Sequence, residues 1–291
     1  MKYYSLNNYL KDTFGSKVYK IAIDGGFTCP NRDGKIDTRG CIFCSKGGSG
    51  DFAQDRKLSI TEQIENGKKL VEKKNKSGKY IAYFQAFTNT YADTQTLREK
   101  YEEAIMHKDI VALSIGTRPD CLPNDVIELL SELNKIKPIF VELGLQTIHE
   151  DTAEYIRRGY PLSVYDKACD DLRNRNINIV THLILGLPNE SKEDMLESVK
   201  YVCNKSDGIK LQLLHILKGT DLADEYINGK IKVLEFDEYI DLIKECVKII
   251  PNNIVIHRLT GDGAKKDLLA PLWSADKKKV LNSINKALSE I

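Results

Sequence analysis

The sequence has no excess of charge of either sign: 43 Lys and Arg stand against 42 Asp and Glu, a formal net charge of +1. That excludes the global positive field of a chain held to nucleic acid by charge alone and leaves room only for local basic patches. Long hydrophobic runs are missing as well. No stretch approaches the roughly 18 apolar residues of a membrane-spanning helix, and the opening MKYYSLNNYL is too polar for a signal-peptide core. The expected compartment is the cytoplasm, with no membrane partner. Low-complexity tracts and linkers rich in Gly, Pro or Ser are also absent, so nothing divides the 291 residues into independent domains. With 42% hydrophobic and 29% charged residues, the composition is globular rather than disordered, collagen-like or disulfide-stapled. Seven cysteines without an export signal argue for thiol, metal or redox chemistry instead of disulfides.

What is present is an alternation. Short runs rich in Ile, Val, Leu, Tyr and Phe fall at 19–23, 80–84, 110–115, 139–145, 179–185, 209–216 and 254–259. Most are nearly continuous in apolar residues, as expected of parallel strands covered on both faces. Between them, three-to-four spacing predicts helices at 60–74, 94–106, 124–134, 163–174, 192–204 and 237–249. Ser59 or Thr61, with Glu62 close by as a capping acid, and Asn124 after Pro123, are helix starts. The repeat is βα throughout, which predicts an α/β fold whose right-handed crossovers wind into a partial or full barrel. After Leu259 the pattern becomes mostly helical. In such barrels the working residues follow the strands, at their C-terminal ends.

The segment directly after the first strand is CPNRDGKIDTRGCIFC, with Cys29, Cys41 and Cys44. Eleven residues separate the first two cysteines and two separate the second pair, on a loop marked by Pro30, Asn31, Gly34 and Gly40. A structural zinc site takes four closed ligands. A four-iron cluster takes one ligand per iron, so three thiolates leave one iron open. The remaining cysteines are scattered: Cys169, Cys203 and Cys246 fall in helical patterns and read as structural thiols, while Cys121 follows the third strand. A zinc site borrowing a distant ligand, or a redox pair, remains as an alternative. The nearest histidine in sequence is His107, and a thioredoxin-like pair would open a helix instead of closing a long loop.

This loop, with Phe43 before its last cysteine, resembles the cluster loop of the radical S-adenosylmethionine (SAM) superfamily. Its wide first spacing is close to that of the Elongator catalytic subunit and its relatives. The stretches IDGGFTCPNRDGKIDTRGCIFC, YFQAFTNTYA, IGTRPDCLP, VELGLQT, RRGY, THLILGLPNE, LLHILKGT and HRLTGDG extend the resemblance over nearly the whole chain, to the YhcC/YtqA-like radical SAM family. The resemblance implies a partial (β/α)6-type TIM barrel. Residues 1–17 would form an N-terminal segment, 18–220 the barrel core with its cluster loop, and 221–291 a mainly helical C-terminal extension. It implies that Cys29, Cys41 and Cys44 hold a [4Fe-4S] cluster and that SAM chelates the open iron. One electron, from a donor such as flavodoxin or ferredoxin, would then generate a 5′-deoxyadenosyl radical that abstracts a substrate hydrogen.

By the same resemblance, Gln146 matches a ribose contact and Arg158 an arginine that pairs with the SAM carboxylate. Ile184, Gly186 and Leu187 match the stretch that holds adenine, and His182 stands where some relatives bind ribose. Gly116 replaces an acid found in relatives, so the amino-group acceptor falls to Gln85, Thr117 or Asp120. On the substrate side, Gln85, Thr88, Asn89 and Tyr91 follow the second strand, His215 and Lys218 the sixth, and His257, Arg258 and Asp262 the seventh. All are expected at the barrel mouth. The resemblance points to tRNA as substrate, with a 5-carboxymethylaminomethyl side chain on the wobble uridine processed toward 5-aminomethyl. Lys68, Lys69, Lys73, Lys74, Lys76, Lys265, Lys266 and Lys277–Lys279 are candidate phosphate contacts. Two alternatives remain: a radical SAM enzyme acting on a free metabolite or peptide, and a non-catalytic iron–sulfur or zinc protein that binds RNA or senses redox state.

Overall fold

The computed structural model describes residues 3–48, 50, 53–261, 263 and 265–290. Seven strands form one sheet. They are β1 (Tyr19–Ile23), β2 (Tyr80–Phe84), β3 (Ile110–Thr117), β4 (Ile139–Gln146), β5 (Asn178–Leu185), β6 (Gly208–Leu213) and, last in the row, β8 (Val255–Arg258). Every neighbouring pair is parallel and the order follows the chain, so each connection returns over the same face. The sheet curls into a half-barrel.

The returning helices are α2 (Ile60–Val71), α3 (Thr94–Ile105), α4 (Asn124–Asn134), α6 (Leu162–Arg173), α7 (Lys192–Cys203) and α9 (Phe236–Ile249), with α5 (Glu150–Tyr155) a short turn before α6. Local chemistry sets their starts. Ser59 and Glu62 form a reciprocal capping box at α2, Asp93 caps α3, and Ser191 with Asp194 boxes α7. The apolar faces of these helices and of C-terminal α10 (Lys277–Ser289) join the outer faces of the strands in one large core. Cys169 and Cys246 are buried in it, and Cys203 lies at its edge.

The inner face is layered with the two-residue period of the strands. At the N-terminal end, Ile81, Ala112, Phe140 and Val180 meet Leu10 of α1 (Leu6–Phe14), which plugs the half-barrel from below. Two residues further on stand Tyr83, Ser114, Glu142 and His182. Two more bring Gln85, Gly116, Gly144 and Ile184 to the open end.

The structure departs from the sequence pattern in two places. The apolar run 209–216 is not one strand: β6 stops at Leu213, and β7 (Ile216–Leu217) pairs antiparallel with β9 (Leu268–Ala270) in a separate ribbon. The region after Leu259 therefore contributes this ribbon before its helix α10. Helices α1, α5 and α8 (Asp221–Ile227), of 9, 6 and 7 residues, went unmarked because so few turns give little periodicity to read.

Candidate active site

The cluster loop folds back over the open end of the half-barrel. Asn31, 1% exposed, organises it: its amide Nδ2 donates to the Arg157 carbonyl at 2.8 Å and approaches Cys41 Sγ at 3.4 Å. Arg32 reaches across the loop and donates to the carbonyls of Cys44 (3.0 Å) and Ser45 (2.6 Å). Gly159 must be glycine here. Its φ is +81°, and a Cβ would lie 2.9 Å from Asn31 Oδ1. The result is a cleft between loop and barrel whose wall carries Cys29, Cys41 and Cys44 together.

The three sulfurs are not all within 4.8 Å of one another. A single zinc ion, with Zn–S bonds of about 2.3 Å, needs them closer than about 4 Å, so the spread suits a larger polynuclear centre. Burial, with the neighbouring Cys44, pushes the Cys41 thiol up to about 12. A metal that binds there must displace that proton. Soft donors, burial and spacing thus all fit an iron–sulfur cluster.

Beside the cysteines the cleft has a polar and an apolar wall. Gln146 closes β4 in a left-handed conformation, φ +74°, and its Oε1 is buried without a hydrogen-bond partner. A strained residue presenting an unsatisfied acceptor to a cleft fits a ligand hydroxyl. Opposite, Phe43 and Ile184 belong to an apolar cluster with Ile42, Ile156, Leu187 and Leu214, a surface suited to a purine ring. Leu187 stands behind this wall, and Gly186, φ +88°, backs onto Leu234, so neither lines the cleft itself.

Other residues singled out in the sequence divide. Gln85, Thr88, Thr117, His182, His215 and Arg258 line the cleft. Arg158 also lines it and is 2% exposed, but its guanidinium already donates to the carbonyls of Thr147 (2.6 Å) and Tyr160 (2.9 Å) and to Glu150 (3.0 Å). Its main visible work is to tie the turn after β4. Thr117 shares its hydroxyl with Thr90 at 2.6 Å, and Asp120 is held by both arms of Arg118. Of the three candidate amino-group acceptors, Gln85 is thus the one lining the cleft without such a tie. His215 accepts from the Gly263 amide at 3.1 Å, and a Cβ at Gly261 would strike its ring, so these two glycines hold it closely.

Four expected mouth residues lie elsewhere. Lys218 is exposed and donates to the Lys266 carbonyl, because the chain has turned into the β7–β9 ribbon. Tyr91 lies in a second hollow behind the cluster loop, under the Lys35 ammonium. Asn89 bonds the Gly116 carbonyl and joins β2 to β3. His257 packs on Phe140 in the space left by Gly208, where burial and Lys20 hold its ring well below its usual pKa. Asp262 lies outside the described residues. Among the lysines, Lys68 is taken up by Glu65 and Asp109.

Inspection of strand ends misses the middle layer. Glu142, 1% exposed, receives Lys20 at 2.5 Å, His182 at 2.8 Å, the Ser114 hydroxyl, and Lys210. The Tyr83 ring lies 4.6 Å from each of the two ammoniums. Lys20 and Lys210 hold the Glu142 carboxyl well below its usual range despite burial. Burial drops His182 to about 4, so it is neutral, and drops Lys210 to about 7, with Lys20 and Arg258 adding to the fall and Glu142 opposing it. The sequence signal was a charged or polar residue at mid-strand in YKIAI, VELGLQ and IKLQL, where a covered parallel strand should have none.

A parallel half-barrel with a three-thiol loop over its C-terminal end defines the radical SAM class of enzyme. The chain belongs to the Radical SAM superfamily, which it matches over residues 37–202, and it matches the Radical_SAM C-terminal domain over 206–290. It is 47% identical to the protein YtqA of Bacillus subtilis over 99% of this chain and 89% of that one. It is 38% identical to the protein YhcC of Escherichia coli over 95% and 89%. A tRNA uridine(34) acetyltransferase of Methanocaldococcus jannaschii shares 29% identity over 62% of this chain and 35% of its own. The solved archaeal Elp3 of Methanocaldococcus infernus superposes with a TM-score of 0.69 at 19% identity, over 92% of this chain and 63% of that one. The cofactors are a [4Fe-4S] cluster and SAM, which together supply one-electron cleavage and hydrogen-atom abstraction, and an external electron donor is required. No described helix is long and apolar enough to cross a membrane.

Proposed function

We propose that the enzyme acts on the side chain of the wobble uridine of tRNA, in processing of the 5-carboxymethylaminomethyl to 5-aminomethyl type. The observation that carries this reading is the similarity to a tRNA uridine(34) acetyltransferase over 62% of this chain. In this reading Cys29, Cys41 and Cys44 hold the cluster, Gln146 accepts from the SAM ribose, and Phe43 and Ile184 flank adenine. Arg158 positions the turn that carries Gln146, and Gln85 and His215 face the substrate. The polar layer beneath them offers hydrogen bonds and positive charge to a polar side chain; the same layer would also suit a free carboxylate-bearing metabolite. The non-catalytic zinc alternative is disfavoured by the spread of the three sulfurs.

The test is anaerobic. Reconstituted protein, reductant and SAM are incubated with tRNA from a strain lacking the gene, and both 5′-deoxyadenosine and the digested nucleosides are quantified. Conversion of the wobble nucleoside by wild type and not by Cys44→Ala supports the reading. 5′-Deoxyadenosine formation without any change in tRNA, with turnover on a small carboxylate instead, moves the substrate to the metabolite class.

A further inference from the structure

The middle layer of the half-barrel does more than fill space. Lys20 comes from β1, Tyr83 from β2, Glu142 from β4 and Lys210 from β6, so four strands contribute to one plane. In register terms His182, Lys210 and Arg258 are direct neighbours across β5, β6 and β8. Two ammoniums therefore share one carboxylate, and among the described residues Glu142 is the layer's acid. A buried pair needs one cation per anion, and an extra buried charge is unfavourable unless something answers it. Tyr83, Glu142, His182, Lys210 and Arg258 all line the cleft, so the surplus charge faces the space a substrate must enter.

We propose that this layer is the receptor for a carboxylate of the substrate, which enters from the cleft and becomes the second counter-ion beside Lys210. A backbone phosphodiester is too encumbered to reach mid-barrel. The Tyr83 hydroxyl, 3.1 Å from Lys210 Nζ, is placed to steady the incoming group or the amine it meets. The inference rests on the cleft being the substrate site of the proposed enzyme, but not on that substrate being tRNA.

The test follows the Lys210 amine itself. The reconstituted protein, labelled with ε-13C lysine, is titrated by NMR from pH 5 to 10 in acetate, with chloride at matched ionic strength and acetamide as controls. Lys210→Arg identifies the resonance by its loss. In chloride one lysine titrates near neutrality, and in acetate its midpoint rises by a full pH unit or more, a tenfold change in proton affinity, while acetamide leaves it in place. Equal midpoints in acetate and chloride at molar concentration overturn the proposal, as does an equal response to acetamide. Because acetate makes no reference to nucleic acid, failure of the tRNA assay with a positive acetate response removes the tRNA reading alone. A negative acetate response with tRNA turnover intact removes the receptor alone.

Discussion

Replacing Lys210 with methionine is expected to flatten the dependence of stability on pH between 7 and 9. In the folded chain Lys210 titrates at about 7, against 10.5 for a free side chain. Between those values the unfolded chain binds the proton and the folded chain does not, so stability rises with pH through the window and levels off below it. The slope approaches about 1.4 kcal/mol per pH unit. From pH 7 to pH 9 the gain is roughly 2 kcal/mol once partial protonation at the lower end is included. For a chain of this length that raises the melting temperature by roughly 3 °C. Lys210→Met removes this proton and leaves Lys20, Ser114 and His182 on Glu142. The variant should melt at or above wild type at pH 7, because replacing an undercompensated buried cation with an apolar side chain is neutral or stabilising. It should lose the advantage by pH 9. The assay is a thermal melt of the reconstituted protein at several pH values, with exposed Lys278→Met as a control. Buried thiols such as Cys246, pushed up to about 12, titrate in the opposite sense in both proteins and cancel in the difference. Parallel melting curves for wild type and Lys210→Met would refute the charge assignment of the whole layer.

Further outcomes are expected. Glu142→Gln strips both lysines of their shared counter-ion; the loss of melting temperature should be larger at pH 6 than at pH 9, and a pH-independent loss would point to packing instead. Gln146→Ala removes a buried acceptor that has no protein partner. It should weaken SAM binding about tenfold, the scale of one hydrogen bond at about 1.4 kcal/mol, with little change in melting; equilibrium dialysis and a melt together check this. Arg158→Ala should lower the melting temperature before it alters SAM affinity, since it frees the Thr147 and Tyr160 carbonyls and Glu150; weak SAM binding at wild-type stability would return the carboxylate role to it. Cys44→Ala should lose cluster iron, measured by chelation assay, and all 5′-deoxyadenosine formation. Lys218→Ala, altered at an exposed site outside the cleft, should keep full turnover.

Much of this molecule is legible without coordinates. The apolar runs at 19–23 and 80–84 are strands over those same residues, and the helix expected at 124–134 forms there, because local propensity and capping agree with the tertiary demand at these points. The cysteine loop is equally explicit: spacing along one covalent segment is a sequence property, and the loop carries all three thiols to one cleft. What the sequence by itself determined, then, was the parallel βα repeat, the three-thiol loop and the end of the barrel at which to look.

The tertiary structure decided what each polar residue faces. LLHILKGT reads as one strand end, yet a change of sheet between Leu213 and Ile216 sends His215 into the cleft and Lys218 out of it. Arg158 stands where a ligand-binding arginine would, and only folding reveals the carbonyls that occupy it. The Glu142 layer is the clearest case. Lys20, Glu142 and Lys210 are separated by 122 and 68 residues, and no local pattern links them. Strand register and the curl of the sheet bring them within hydrogen-bonding distance. Burial then gives their charges meaning, because only in a closed interior does one carboxylate between two ammoniums leave a charge for a ligand to answer.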